Sequence, residues 1–199
     1  MTNEFILVRH ATCERMDEML LGRTMDLPLD ARGMRQAAAM ASTLRSREDL
    51  LIMTSPRQRT QQTAAAIAAA TGGEVVTSHA FDELDFGHWS GRTFAQLADD
   101  TGWRHWNEHR GSAATPNGER MSDVQARVLD QLHRLRNAFP GRVIAIVTHA
   151  EVIRAALMHL LNAPMDGYSR LAIHPASCST VSMGDWGVRI EGINQRVSA

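Results

Sequence analysis

Short apolar runs alternate with helical segments along most of the chain, and this alternation limits the folds open to it more than any other feature. Residues 5–9 (FILVR) are continuously apolar up to a final Arg, without the every-second-residue pattern of a half-exposed strand. They read as a strand buried on both faces, the kind found inside parallel sheets. Residues 50–54 (LLIMT), 74–77 (EVVT) and 142–148 (RVIAIVT) read as further strands. Asp30 is placed to cap a helix that runs to Leu44. Pro56 suits the first turn of an alanine-rich helix that reaches Ala70, and Gly72-Gly73 ends it. Ser122 is predicted to cap a helix in which Val124, Val128, Leu132, Leu135 and Phe139 recur every three or four residues. Pro140-Gly141 stops that helix, and residues 150–161 supply another with one apolar face. A short helix is predicted over 93–100, and two less buried strands near 170–173 and 181–193. Strand–helix alternation of this kind predicts a three-layer α/β/α sandwich around a mostly parallel central sheet. The sequence reads as one domain, 1–199, with residues 86–118 as a cap over one sheet edge.

Composition removes several classes of function. The 21 basic residues, all Arg, nearly cancel 22 acidic ones, so the chain lacks the basic excess that nucleic acid or an anionic membrane would select. The absence of Lys rules out Schiff-base chemistry and a P-loop lysine. Any anion this chain holds is gripped by planar guanidinium forks. Cys13 and Cys178 have no metal-ligand or CxxC spacing, and no HExxH motif is present, so neither a metal nor a cofactor is expected. The first apolar run is too short for a signal sequence and the longest stretches are too short to cross a bilayer, which leads us to expect a cytoplasmic protein. A homodimer is compatible with everything the sequence contains.

Open α/β sheets bind ligands beyond the carboxyl ends of their strands. The first strand ends in Arg9-His10. The second leads to Ser55-Pro56-Arg57-Gln58-Arg59, the third to Asp82-Glu83-Leu84-Asp85, and the fourth ends in Thr148-His149. Any one of these alone would be unremarkable, since a strand-end His is commonly structural and an Arg in a first helical turn commonly solvated. Together they suit a phosphoryl group: guanidiniums for its oxygens, a neutral imidazole as nucleophile, and a carboxyl group to exchange protons with the leaving oxygen and with water. No G-x-G-x-x-G follows the first strand, which ranks a dinucleotide-binding enzyme lower.

The motifs then resemble a known family. Val8-Arg9-His10-Ala11-Thr12 is similar to the RHG(E/A)T signature of the histidine phosphatase superfamily, which has the phosphoglycerate-mutase-like fold. Residues 22–29 (GRTMDLPL) resemble its G-R-x-x-D-x-P-L stretch, and residues 55–64 (SPRQRTQQTA) its S-x-x-x-R-(A/T)-x-Q-T-A. Residues 83–91 (ELDFGHWSG) resemble E-x-D-F-G-x-W-E-G, residues 116–119 (PNGE) resemble P-x-G-E, and Val147-Thr148-His149-Ala150 resembles V-(S/T)-H-(G/A). The resemblance implies that His10 becomes phosphohistidine and that Arg9, Arg59 and His149 grip the phosphoryl oxygens. It implies that Glu83 gives a proton to the leaving group and then takes one from water. Arg23 and Thr24 are carried over as substrate contacts.

The implied activity is metal-independent hydrolysis of a small phosphorylated metabolite. Within the superfamily the chain looks most like the α-ribazole phosphatase and broad-specificity phosphatase branch. Phosphoglycerate-mutase-type transfer and a non-catalytic phospho-ligand module are the alternatives. Ala11, Met16 and Ser90 depart from the family pattern, and Arg57 is read as exposed. Trp89 is read as packing the cap, whereas Trp103, Trp106, His105 and Arg110 are left open between packing and substrate contact.

Overall fold

The computed structural model describes residues 1–47 and 49–196; the last three positions of the expected domain lie outside them. Six strands, β1 (Asn3–Arg9), β2 (Leu51–Thr54), β3 (Glu74–Thr77), β4 (Val143–Thr148), β5 (Ser177–Gly184) and β6 (Gly187–Arg196), form one sheet in the order β3-β2-β4-β1-β5-β6. The first four in that order run parallel, β5 runs antiparallel to β1, and β6 returns antiparallel to β5.

Successive residues of the central strands point to opposite faces, and each face has its own helical layer. Ile6 and Val8 of β1, with Ile52, Ala145 and Val147, pack against α1 (Ala31–Leu44) and α2 (Gln58–Thr71) through Met40, Leu44, Ala64 and Ile67. Phe5 and Leu7, with Met53, Ile144 and Ile146, pack against α5 (Met121–Ala138) and α6 (Ala150–Leu160) through Val128, Leu132, Ile153 and Leu157. The architecture is therefore the three-layer sandwich expected. The middle of β1, Phe5–Val8, and β4 up to Val147 are apolar because both of their faces are covered.

Local details depart from the sequence reading. Helix α2 starts at Gln58, so Pro56 lies before the helix, in the bend that follows Ser55; the Asp26 carboxylate accepts from the Gln58 amide in place of a capping hydroxyl. Helix α5 starts at Met121, so Ser122 lies inside its first turn, and the Asp123 carboxylate reaches back to the Arg120 amide. The single helix over 93–100 is two helices, α3 (Phe94–Ala98) and α4 (Thr101–Glu108), because Asp100 caps a new helix by accepting from Trp103. Residues 170–173 form no strand; a 3-10 turn, Met165–Arg170, ends on the first of them. The strand expected over 181–193 is instead the hairpin β5–β6. Its alternation was hard to see because Ser177 and Ser179 fill buried positions with their hydroxyls satisfied by His174 and Asn194.

Candidate active site

β1 ends at Arg9, and the residue after it carries the first imidazole. The His10 amide still bonds the Thr148 carbonyl, while one amide, that of Ala176, serves the carbonyls of both Arg9 and His10. The strand stops being regular at this point, so neighbouring side chains that a regular strand would send to opposite faces line the same cavity. His149 stands at the matching position beyond β4, where it caps α6 with backbone extended. Arg59, on the first turn of α2, is 1% exposed and reaches a ring nitrogen of both imidazoles. Glu83 enters from the segment that follows β3.

Arg59 ties the group together. Its Nε lies 3.3 Å from His10 Nε2, its Nη2 lies 3.2 Å from His149 Nδ1, and the same Nη2 donates to the Gly22 carbonyl. The two imidazoles meet edge-on with centroids 5.3 Å apart. Glu83 Oε2 is 3.5 Å from His149 Nδ1. Arg9 supplies a second guanidinium, anchored by a 2.6 Å bond to the Ile173 carbonyl and resting against Met16 Sδ. The structure thus brings His10, Arg9, Arg59, Glu83 and His149 to one place.

The hydrogen bonds settle the ring tautomers. His10 Nδ1 is 2.8 Å from the Ala11 carbonyl, so it carries the proton and Nε2 presents a lone pair. Ser55 Oγ donates to Asp82 and accepts from His149 Nε2, which leaves His149 Nδ1 to accept from Arg59. Burial pushes the His10 and His149 pKa values well below the usual imidazole range, and Arg59 pushes them further. Both rings are neutral at ordinary pH. Glu83 shifts in the opposite sense: burial raises it to about 7, Arg59 opposes that rise, and the Glu151 charge adds to it. Its Oε1 accepts from the Leu84 amide. The site therefore pairs an unprotonated imidazole with a carboxyl group that holds a proton up to neutrality, and such a pair can do nucleophilic and general-acid chemistry together.

Other sequence candidates lie elsewhere. The Arg23 guanidinium does not line the cavity; it is spent on Glu119, Asp82 and the Glu83 carbonyl, and Thr24 is exposed outside it. Arg57 is not a free surface charge, because it clamps both oxygens of the buried Asp82. Trp106 is fully buried among Trp89, Trp103 and Phe86, and of the tryptophans only Trp103 lines the cavity. His105 and His109 stack on each other away from it. The Cys13 thiol, raised to about 11 by burial, is protonated and outside the cavity. Ala11 is buried against Ala37 and Ala176, so its methyl group faces the core and not the ligand space.

Sequence reasoning missed Glu151, Arg154 and Tyr168, which line the cavity with Arg110. Their only signal was position: Glu151 follows His149 closely, and Arg154 stands one helical turn later. The cavity has a volume of about 460 Å³. Among the described residues no cluster of three or more His, Cys, Asp or Glu is gathered as a metal would require. None of the described helices is long and apolar enough to cross a membrane.

Comparison with known proteins decides the family. The model described as histidine phosphatase superfamily (branch 1) matches residues 5–196. The chain belongs to this superfamily. Phosphoserine phosphatase 1 of Hydrogenobacter thermophilus is 31% identical over 183 residues, 90% of this chain and 86% of the relative. Glucosyl-3-phosphoglycerate phosphatase of Mycobacterium tuberculosis is 28% identical over 203 residues, 96% of this chain and 91% of the relative. The solved native structure of the mycobacterial glucosyl-3-phosphoglycerate phosphatase superposes with a TM-score of 0.88 at 27% identity, over 98% of this chain and all of that one. YhfR of Bacillus stearothermophilus shares the fold, with a TM-score of 0.91 at 22% identity over 98% of each chain. Membership of the histidine phosphatase superfamily, with phosphatases among the relatives, supports phosphatase activity in this chain.

Proposed function

We propose that this histidine phosphatase hydrolyses a small phosphomonoester, without a metal, through a phosphohistidine on His10. The observation that carries the reading is the pairing of a neutral His10, its Nε2 lone pair directed at the Arg59 guanidinium, with a Glu83 carboxyl that stays protonated to about pH 7. In the first step Nε2 bonds to phosphorus as the ester P–O bond breaks, and the Glu83 proton passes to the leaving oxygen. In the second step the Glu83 carboxylate takes a proton from water, the oxygen attacks phosphorus, and inorganic phosphate leaves with His10 restored. Arg9 and Arg59 supply donors to the equatorial oxygens, with Arg59 oriented by the His149 ring that accepts from its Nη2; this is the kind of preorganised positive field that replaces a divalent cation in phosphoryl transfer. Small phosphorylated metabolites fit a cavity of this size, and the relatives named for phosphoserine and glucosyl-3-phosphoglycerate belong to that class.

Hydrolysis of p-nitrophenyl phosphate in EDTA tests this. Wild-type activity is expected to persist at full rate, and His10→Ala to lose it by a factor of at least ~10³, as when a covalent nucleophile is removed. A strict requirement for added metal, or His10→Ala within tenfold of wild type, would refute it. The second reading is phosphoglycerate-mutase-type transfer, favoured by the 33% identity with a probable phosphoglycerate mutase of Yersinia enterocolitica over 89% of this chain. Isomerisation of 3-phosphoglycerate faster than release of phosphate would select it.

A further inference from the structure

The wall of the cavity beyond the phosphoryl-binding groups carries a second charged cluster that the reaction above does not use. Glu151 is held on both oxygens: Arg110 Nη1 lies 2.6 Å from Oε2 and Arg154 Nη1 lies 2.8 Å from Oε1. Arg110 is held in place with its Nε buried and without a partner among the described residues, so it has no donor turned to the open cavity. Its guanidinium is sandwiched 3.5 Å from the Trp106 centroid and 3.7 Å from that of Tyr168, and its Nη2 donates to Asn107, which also accepts from the Tyr168 hydroxyl. Arg154 is fixed by Glu151 and by a 3.0 Å bond from Nε to the Leu171 carbonyl. Its Nη2 has no partner among the described residues, yet it is not one of the buried unpartnered atoms. This rigid guanidinium therefore keeps one open donor, and its side chain lines the cavity.

Charge decides what would bind there. Four guanidiniums, those of Arg9, Arg59, Arg110 and Arg154, face two carboxylates in one cavity. Glu83 is protonated below about pH 7, whereas the two arginines hold Glu151 ionised. A phosphomonoester dianion leaves one positive charge uncompensated, and that excess sits on the Arg110–Arg154 side. An ammonium group would meet a carboxylate already occupied on both oxygens, so the wall suits an anion. A guanidinium with an open Nη2 is a carboxylate donor.

We propose that Arg154 forms a carboxylate subsite and that the substrates are phosphorylated hydroxy acids, with the phosphoryl group at His10 and the acid group on Arg154 Nη2. This rests on the phosphomonoesterase reading of the same cavity. Arg110 and Glu151 act as positioning residues that keep the Arg154 fork in place.

The test compares 3-phosphoglycerate with glycerol 3-phosphate, which differ by a carboxylate in place of a hydroxymethyl group, with p-nitrophenyl phosphate as a third substrate. Wild type is expected to favour the acid by at least tenfold in kcat/KM. Arg154→Met is expected to shrink that preference by tenfold or more, chiefly through KM for the acid, and Arg154→Lys to restore part of it. Equal kcat/KM for the two esters in wild type overturns the subsite, as does a preference unchanged in Arg154→Met. Hydrolysis of p-nitrophenyl phosphate in that case leaves the phosphatase reading standing, whereas failure to hydrolyse any of the three esters overturns both.

Discussion

Glu83 is the active-site group that burial brings to titrate near neutral pH. Burial costs its charged form more than Arg59 returns, so the carboxyl group is protonated below about pH 7 and ionised above it. Raising the pH through 7 removes the proton that an alkoxide leaving group needs. Single-turnover phosphorylation of His10 by an alkyl phosphate is therefore expected to slow above about pH 7 by up to tenfold per unit. With p-nitrophenyl phosphate, whose leaving group needs no proton, the fall should be small. Glu83→Gln is expected to cost ~10²–10⁴ in that step for the alkyl ester and much less for the nitrophenyl ester. Equal losses for both esters would remove Glu83 from the acid role. Behind His149 a line of contacts runs from Ser55 to Asp82 to Arg57, and it keeps the ring in the tautomer that accepts from Arg59.

Elements set where these groups stand. Helix α1 crosses so close to the segment after the nucleophile that a methyl group on Gly33 would lie 1.9 Å from the Thr12 carbonyl oxygen. The contact is cemented by Thr12, whose hydroxyl donates to Asp30 and whose amide donates to Gln36. Gly33→Ala gains ~1 kcal/mol in helix propensity but must push backbone apart, an overpacking cost of about 1–3 kcal/mol or more. We expect a net loss, read as a Tm lower by a few degrees, with slower turnover because the His10 turn moves; an unchanged or higher Tm would contradict the close approach. The strand ends were legible in the sequence for a simple reason. A parallel strand buried on both faces is apolar through its middle, so the polar residue that breaks the apolar run towards its carboxyl end marks the sheet edge where ligands bind. Arg9-His10 and Thr148-His149 declare themselves in that way. Arg23 and Thr24 did not follow suit, because a motif position fixes the residue type and not the direction it faces; Arg23 serves Glu119 and the Glu83 carbonyl. The Arg110–Glu151–Arg154 cluster was invisible for another reason. Its members come from the cap and from α6, and only tertiary packing joins them.

At the scale of the molecule, the four parallel strands gather chemistry at one edge and the 86–118 segment walls it in. That wall is tied to the segment after α6 by Arg110 against Tyr168 and by the Gly111 amide on Asp166. The hairpin β5–β6 extends the sheet beside β1, and the Ala176 amide just before it holds the Arg9-His10 turn. Everything converges on one atom, Nε2 of His10. Rapid acid-free quenching during turnover of a ³²P-labelled phosphomonoester tests that most directly. A phosphoryl group that is stable to alkali, labile to acid and located on the peptide containing His10 is the predicted result, with none in His10→Ala. Steady turnover in which no labelled protein ever forms, or label on any other residue, would contradict it.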